Sequence, residues 1–201
     1  MFSWLEQRIK VKNFLLSPLF PRGIAAWSSF PAVLTLVFFL WQGCLGMVLV
    51  FCCKDASDVK NISLFMRNLH GIGGNILLIS LLAHLCVEFF RGEYKRPGEL
   101  VWVNSIFLWL LVCLSFVTGT ILIANSSAQK TLEMFFMILR KFPLAGPYFY
   151  TLLQSDSPSV LWHRFYVLHI CILPLLSMFV LFFYIWLVYR KSVSLSESKK
   201  P

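Results

Sequence analysis

An all-α membrane protein, a transmembrane four-helix bundle with short interfacial helices in its third connection, is the fold class this sequence predicts. Three observations carry that expectation. Of the 201 residues, 58% are hydrophobic and 13% charged, against about 25% charged in soluble domains. Mean hydropathy is +0.75. Apolar runs near the ~20 residues needed to cross a bilayer occur at about 31–51, 69–90, 101–124 and 166–189. A single membrane domain over 1–201 is expected, with no second, soluble domain.

The first span runs from Pro31 to Phe51 and ends at Cys52-Cys53. The second, Leu69 to Phe90, carries His70 and His84. A short basic loop leads to the third, Val101 to Ala124. The third connection, about forty residues, is too long for a simple turn, and loops of that length are usually functional. Within it, Leu132, Phe135, Phe136 and Leu139 recur at helical spacing with bases at both ends of Gln129–Lys141. That pattern predicts a helix lying in the interface plane or capping the bundle. Pro143 to Pro147 should break it, and Tyr148 to Leu153 should form a second short helix. The fourth span, Tyr166 to Tyr189, carries His169 and Tyr184 and leads into a polar tail expected to fray.

The net charge of +9 points to basic membrane flanks and anionic lipid, not to nucleic acid. Eleven bases fall in the N-terminus, the second loop and the C-terminus, and seven in the other two connections. The positive-inside rule then places both termini in the cytoplasm or its equivalent. The outer leaflet would hold His70 and His169, and the inner one His84 and Tyr184. None of the six cysteines forms a C-x-x-C-H haem-attachment or a zinc-type pair. They read as small helix-packing residues, with Cys52 and Cys53, at a span end, the exceptions. The stretch from Phe2 to Phe20 lacks the pattern of a signal peptide.

Fourteen residues of helix turn through roughly 1,400°, so His70 and His84 fall within ~40° of one face, about 21 Å apart along the axis. Imidazoles in a span are costly and usually functional, and this spacing predicts two stacked sites. His169 enters the fourth span at the depth of His70. The two can face each other across a haem, the common cofactor with two axial imidazoles. Iron so bound has no open position for substrate and carries electrons. Fifteen residues after His169 stands Tyr184 instead of a histidine. A lone buried histidine is otherwise a hydrogen-bonded packing residue.

Three stretches resemble cytochrome b, the four-helix haem-bearing subunit of quinol–cytochrome c and plastoquinol–plastocyanin oxidoreductases. They are Arg67-Asn-Leu-His70 with His84; Gly92-Glu-Tyr-Lys95-Arg-Pro97-Gly-Glu99-Leu-Val-Trp102; and Arg164-Phe-Tyr-Val-Leu-His169 followed by Leu173-Pro174-Leu175-Leu176. The resemblance covers nearly everything beyond residue 25, and the length is that of the short, split chloroplast type. It implies that His70 and His169 bind the outer haem b and its iron, that Arg67 pairs with its propionates, and that Gly46 and Gly119 let it lie close to the backbone.

The inner site departs from the family pattern. Tyr184 replaces the ligand opposite His84, Ala32 and Ser105 stand where glycines are expected, and Val87 stands where an arginine is expected. After Gly119 the chain reads Thr120-Ile-Leu-Ile-Ala-Asn125-Ser-Ser, without the family's Leu-Pro-Trp quinol-pocket motif. The resemblance therefore implies one haem b, a doubtful second at His84 and Tyr184, and no standard quinol oxidation. The expected role is an electron-transfer subunit of an energy-transducing membrane, bacterial or organellar. Its expected partners are a C-terminal cytochrome b-like subunit, an iron–sulfur protein or cytochrome c, membrane lipid, and, as a further candidate, a quinone. The alternatives are a structural scaffold of a respiratory or photosynthetic assembly, or a two-haem cytochrome b with a His/Tyr inner site. The chain supplies no acid–base pair or nucleophile, so enzymatic activity would belong to the complex.

Overall fold

The computed structural model describes residues 30–52, 60–96 and 98–197, with side-chain surroundings for 30–51, 64–96 and 98–188. The expectations for the N-terminal stretch, for Cys53, for the Cys52 side chain and for the polar tail beyond 197 lie outside these. The described elements are helices, with no strand among them: α1 (Phe30–Cys52), α2 (Lys60–Phe90), α3 (Glu99–Leu122), α4 (Ser126–Lys141), α5 (Gly146–Leu153), α6 (Pro158–Val167), a π-helical turn (Leu168–Ile172) and α7 (Leu173–Glu197). Four stretches are long and apolar enough to cross a membrane: Phe30–Phe51, Leu64–Phe90, Glu99–Leu122 and Pro158–Val188.

Two helices are longer than their apolar runs. The second begins at Lys60 rather than near Leu69. The last span begins at Pro158, because α6, the π turn and α7 run on without a break. Hydropathy reports only the length that lipid covers. Lys60, Asn61 and Arg67 can extend a helix beyond it, and Pro158 suits a first helical turn because its missing N–H would be unpaired there anyway.

The core lies between α2, α3 and α7, formed by Leu77, Leu81, Leu108, Leu111, Val112, Leu173 and Val180. Helix α1 packs mainly on α2, and α3 packs on both α2 and α7. Many large apolar side chains point outward, among them Leu40, Phe51, Ile79, Phe90, Leu175, Phe179 and Phe182. In water such a surface would drive aggregation, whereas in a bilayer it faces solvent of its own kind.

The third connection caps one end of this bundle. Ala124 takes a left-handed φ of 57°, and the Asn125 side chain then accepts the Ala128 N–H at 2.8 Å, capping α4. That cap starts the helix three residues before the amphipathic run at Gln129. Phe135 and Phe136 pack edge-on against Phe165, which is fully buried. Met134, Met137 and Ile138 remain exposed. The helix thus both caps the bundle and presents an apolar strip, the two readings its pattern allowed. Turn residues Pro143–Ala145 separate it from α5, which is tied back by Phe136 on Tyr150 and by Arg140 donating to the Tyr150 hydroxyl.

Candidate functional site

The π turn at Leu168–Ile172 contains His169. Pro174 accounts for it: proline has no N–H to give Ile170, and its ring crowds that carbonyl in a regular helix. The ladder widens instead, and the Leu173 N–H reaches the Leu168 carbonyl. Such bulges re-aim side chains and recur at functional sites. Here the ring of His169 lies opposite that of His70, with centroids 6.3 Å apart and planes at 87°.

Glycines back both rings. A Cβ at position 119 would come within 2.8 Å of His169 Cε1, closer than real side chains approach. A Cβ at position 46 would meet His70 Cε1 at 3.5 Å, an ordinary contact. Gly119 is therefore sterically required by the histidine, and Gly46 is only permissive. Both face imidazoles directly. Arg67 lies one turn before His70 on the exposed surface of α2.

Two further residues hold the pair. Thr118, fully buried, brings its hydroxyl 3.0 Å from the carbonyls of Leu114 and Ser115 and 3.1 Å from His169 Nδ1. A hydroxyl has one hydrogen. With that hydrogen given to a carbonyl, Oγ1 can only accept from Nδ1–H. The tautomer that results leaves the lone pair on Nε2, the arrangement that metal-ligating histidines use. On the other side, Gln42 Nε2 donates to the His70 carbonyl at 2.9 Å. Gly73 and Gly74 let that side chain lie against α2, since a Cβ at either position would crowd the Gln42 amide. Neither residue stands out in the sequence alone. The available signals were the Gly71-Ile-Gly-Gly74 run after His70 and a threonine immediately before Gly119.

His70 retains a buried Nδ1 with no partner. Metal–imidazole bonds are about 2 Å long, so rings whose centres lie 6.3 Å apart can share one ion between them. The glycine clearance, the fixed tautomer and the unused ring nitrogen all fit a group held by two axial imidazoles.

The level of His84 and Tyr184 is built differently. His84 Nε2 lies 3.0 Å from the Tyr184 hydroxyl, Tyr184 donates to Glu88 Oε1 at 3.0 Å, and His84 Nε2 lies 3.2 Å from the same oxygen. These three donor atoms are in mutual contact, so no macrocycle separates them. Glu88, one turn after His84, was not singled out from the sequence. The i,i+4 spacing of His and Glu on one helix face was the available signal. Around it, Ser105, in place of a glycine, is 1% exposed and bonded to the Val101 carbonyl. Thr35 meets Ser80, and Asn104 donates to the Val180 carbonyl. Side chains fill this level.

His163 is exposed and stacks near Tyr166. Cys44, Cys86, Cys113 and Cys171 are free thiols. Among the described residues, no three His, Cys, Asp or Glu side chains converge as metal ligands.

The cytochrome b (N-terminal)/b6/petB family model matches residues 75–200. Cytochrome b6 of Tupiella akineta is 22% identical over 212 residues, covering 96% of this chain and 97% of the relative. Cytochrome b/c1 of Bradyrhizobium diazoefficiens is also 22% identical, over 99% of this chain but 31% of the relative. A solved chain of a hyperthermophilic respiratory Complex III superposes with a TM-score of 0.69 at 18% identity, over 94% of this chain and 55% of that one. The chain thus spans nearly all of the Tupiella relative and about a third of the Bradyrhizobium one. The solved structure establishes the shared fold.

Proposed function

Because the chain belongs to the cytochrome b N-terminal family, we propose that it is the haem-bearing membrane subunit of a cytochrome bc- or b6f-type complex, carrying one haem b at His70 and His169. The observation that supports one haem rather than two is the contrast between 6.3 Å of ring separation at that level and direct hydrogen bonding at the level of His84, Glu88 and Tyr184. A haem held by two imidazoles supplies one-electron transfer without a substrate position. The protein's own contribution is placement. Pro174 and the π turn aim His169, Thr118 keeps its proton on Nδ1, Gln42 anchors the backbone at His70, and Gly119 leaves the ring room. The apolar core of Leu77, Leu81, Leu108 and Leu173 packs the bundle around it.

Arg67, exposed and one turn from His70, is proposed to pair with carboxylates at the haem edge. Both termini are proposed to face the cytoplasm or its equivalent, by the distribution of bases. A C-terminal cytochrome b-like subunit and an iron–sulfur protein or c-type cytochrome are the proposed neighbours. The missing Leu-Pro-Trp motif after Gly119 argues against standard quinol oxidation on this subunit.

Pyridine haemochrome analysis of the purified complex tests the proposal. One haem b per chain, lost on His169→Ala and kept on His84→Ala, is the expected result. Two haems per chain would refute it, and none would favour a structural scaffold.

A further inference from the structure

Glu88 is the least comfortable residue in the bundle. It is 4% exposed and lies within a membrane-spanning helix. Among the described residues it has no lysine or arginine partner, since the nearby Arg91 is turned to Glu93 at 3.9 Å. Leu81, one turn before His84, and Leu187, one turn after Tyr184, are buried and apolar, while the turn that follows Glu88 carries Arg91 and Glu93. A buried carboxyl group in a span is costly unless each of its oxygens finds a partner.

Hydrogen bonds among the three side chains leave atoms over. His84 Nδ1 and Glu88 Oε2 are both buried without a partner. Any distribution of protons among Nε2, Oε1 and the phenol oxygen leaves both of these atoms unpaired. A metal ion at the same three donors would also take Oε2, through bidentate binding of the carboxylate, and leave only one.

Geometry agrees. Donors bound to one ion at 2.0–2.1 Å with tetrahedral angles lie roughly 3.3 Å apart. The edges here are 3.0, 3.0 and 3.2 Å. Two of the donors come from one helix face at i,i+4, the spacing of the histidines in helical zinc sites. The third comes from the facing helix α7.

We propose that His84, Glu88 and Tyr184 form a mononuclear site for a divalent first-row transition ion at the level where the family's second haem would lie. The donor set is one imidazole nitrogen and carboxylate and phenol oxygens, with no thiolate. That favours a borderline ion such as Zn²⁺, whose filled d shell tolerates irregular geometry. Bound by the Glu88 carboxylate and by Tyr184 as phenolate, its proton released to solvent, the dication would leave the site without net charge and clamp α2 to α7, the structural task that a haem between them would otherwise perform. The inference rests on the reading that this level holds no haem.

Zn²⁺ itself is the probe. The full-length chain, purified in its complex, is stripped with a chelator and dialysed against buffered Zn²⁺, with haem counted in the same samples. The expected result is one saturable Zn²⁺ per chain, weakened at least tenfold by Glu88→Gln and by Tyr184→Phe, with haem content unchanged. Glu88→Gln preserves side-chain shape, and the retained haem reports that the bundle is intact. No saturable Zn²⁺ beside one haem overturns the metal site alone, as does binding undiminished by either variant. Two haems and no Zn²⁺ overturn both proposals. Saturable Zn²⁺ with no haem supports the metal site and overturns the haem assignment.

Discussion

At the level of His70 and His169, two imidazoles stand 6.3 Å apart with a glycine behind each. At the level of His84 and Tyr184, the corresponding side chains are hydrogen-bonded to one another and to Glu88, with Ser105 packed at 1% exposure where a glycine would leave space. Both levels draw on α2, α3 and the last span, the first through the π turn and the second through α7. The difference lies in what each level leaves unfilled. A site for a flat group needs positions without a Cβ, a fixed tautomer and unused ligand capacity, and the first level has all three. The second has filled the open positions with side chains bonded to one another, leaving His84 Nδ1 and Glu88 Oε2 without partners.

The largest test of this contrast is removal of a ligand. His70→Ala or His169→Ala should abolish the haem b absorption of the purified complex, and His84→Ala should leave it nearly intact. Equal losses from all three would erase the distinction. Next comes the backing of the rings. Gly119→Ala should lose most of the haem, because its Cβ would strike His169 at 2.8 Å, whereas Gly46→Ala, at 3.5 Å, should retain it. Matching behaviour of the two would mean that the rings are free to shift. Thr118→Val removes the acceptor that fixes the His169 tautomer. By analogy with other metal-orienting partners it should weaken cofactor retention about 10–100-fold, read by transfer of haem to apomyoglobin.

Smaller still, Tyr184→Phe leaves His84 and Glu88 without the hydroxyl they share. In protein stripped of added metal it should cost about 1–3 kcal/mol, seen as a lower thermal midpoint in detergent with the haem spectrum unaltered. The smallest expected effect is from Tyr184→His. Restoring a histidine should add no second haem, because Ser105 and Glu88 still occupy the space. A gain of one haem per chain on that single change would show that ligand identity, not packing, separates the two levels.

Much of the fold was legible in the residue pattern. Four apolar runs set the spans, and Pro143 and Pro147 mark the break in the third connection, whereas the Asn125 cap that starts α4 at Ser126 was not read. The ends of α2 and of the last span were not legible, since polar residues continue a helix beyond the bilayer without any hydropathy signal. In the site, the spacing of His70, His84, His169 and Tyr184 is a matter of helical period, so sequence alone set which residues share a depth. The departures at Ala32, Ser105, Val87 and Tyr184 are visible only against the pattern of the family.

Tertiary structure decided what that alteration became. Helical period places Glu88 on the face of His84, but only the approach of α7 brings Tyr184 to both. The role of Thr118 depends on a bulge that turns His169 toward α3, and that of Gln42 on how closely glycines let α1 approach α2. Periodicity fixes the face and depth of a residue along its own helix. The distance across to another helix is set by packing, and hydrogen bonds or ligand sites form only at that distance.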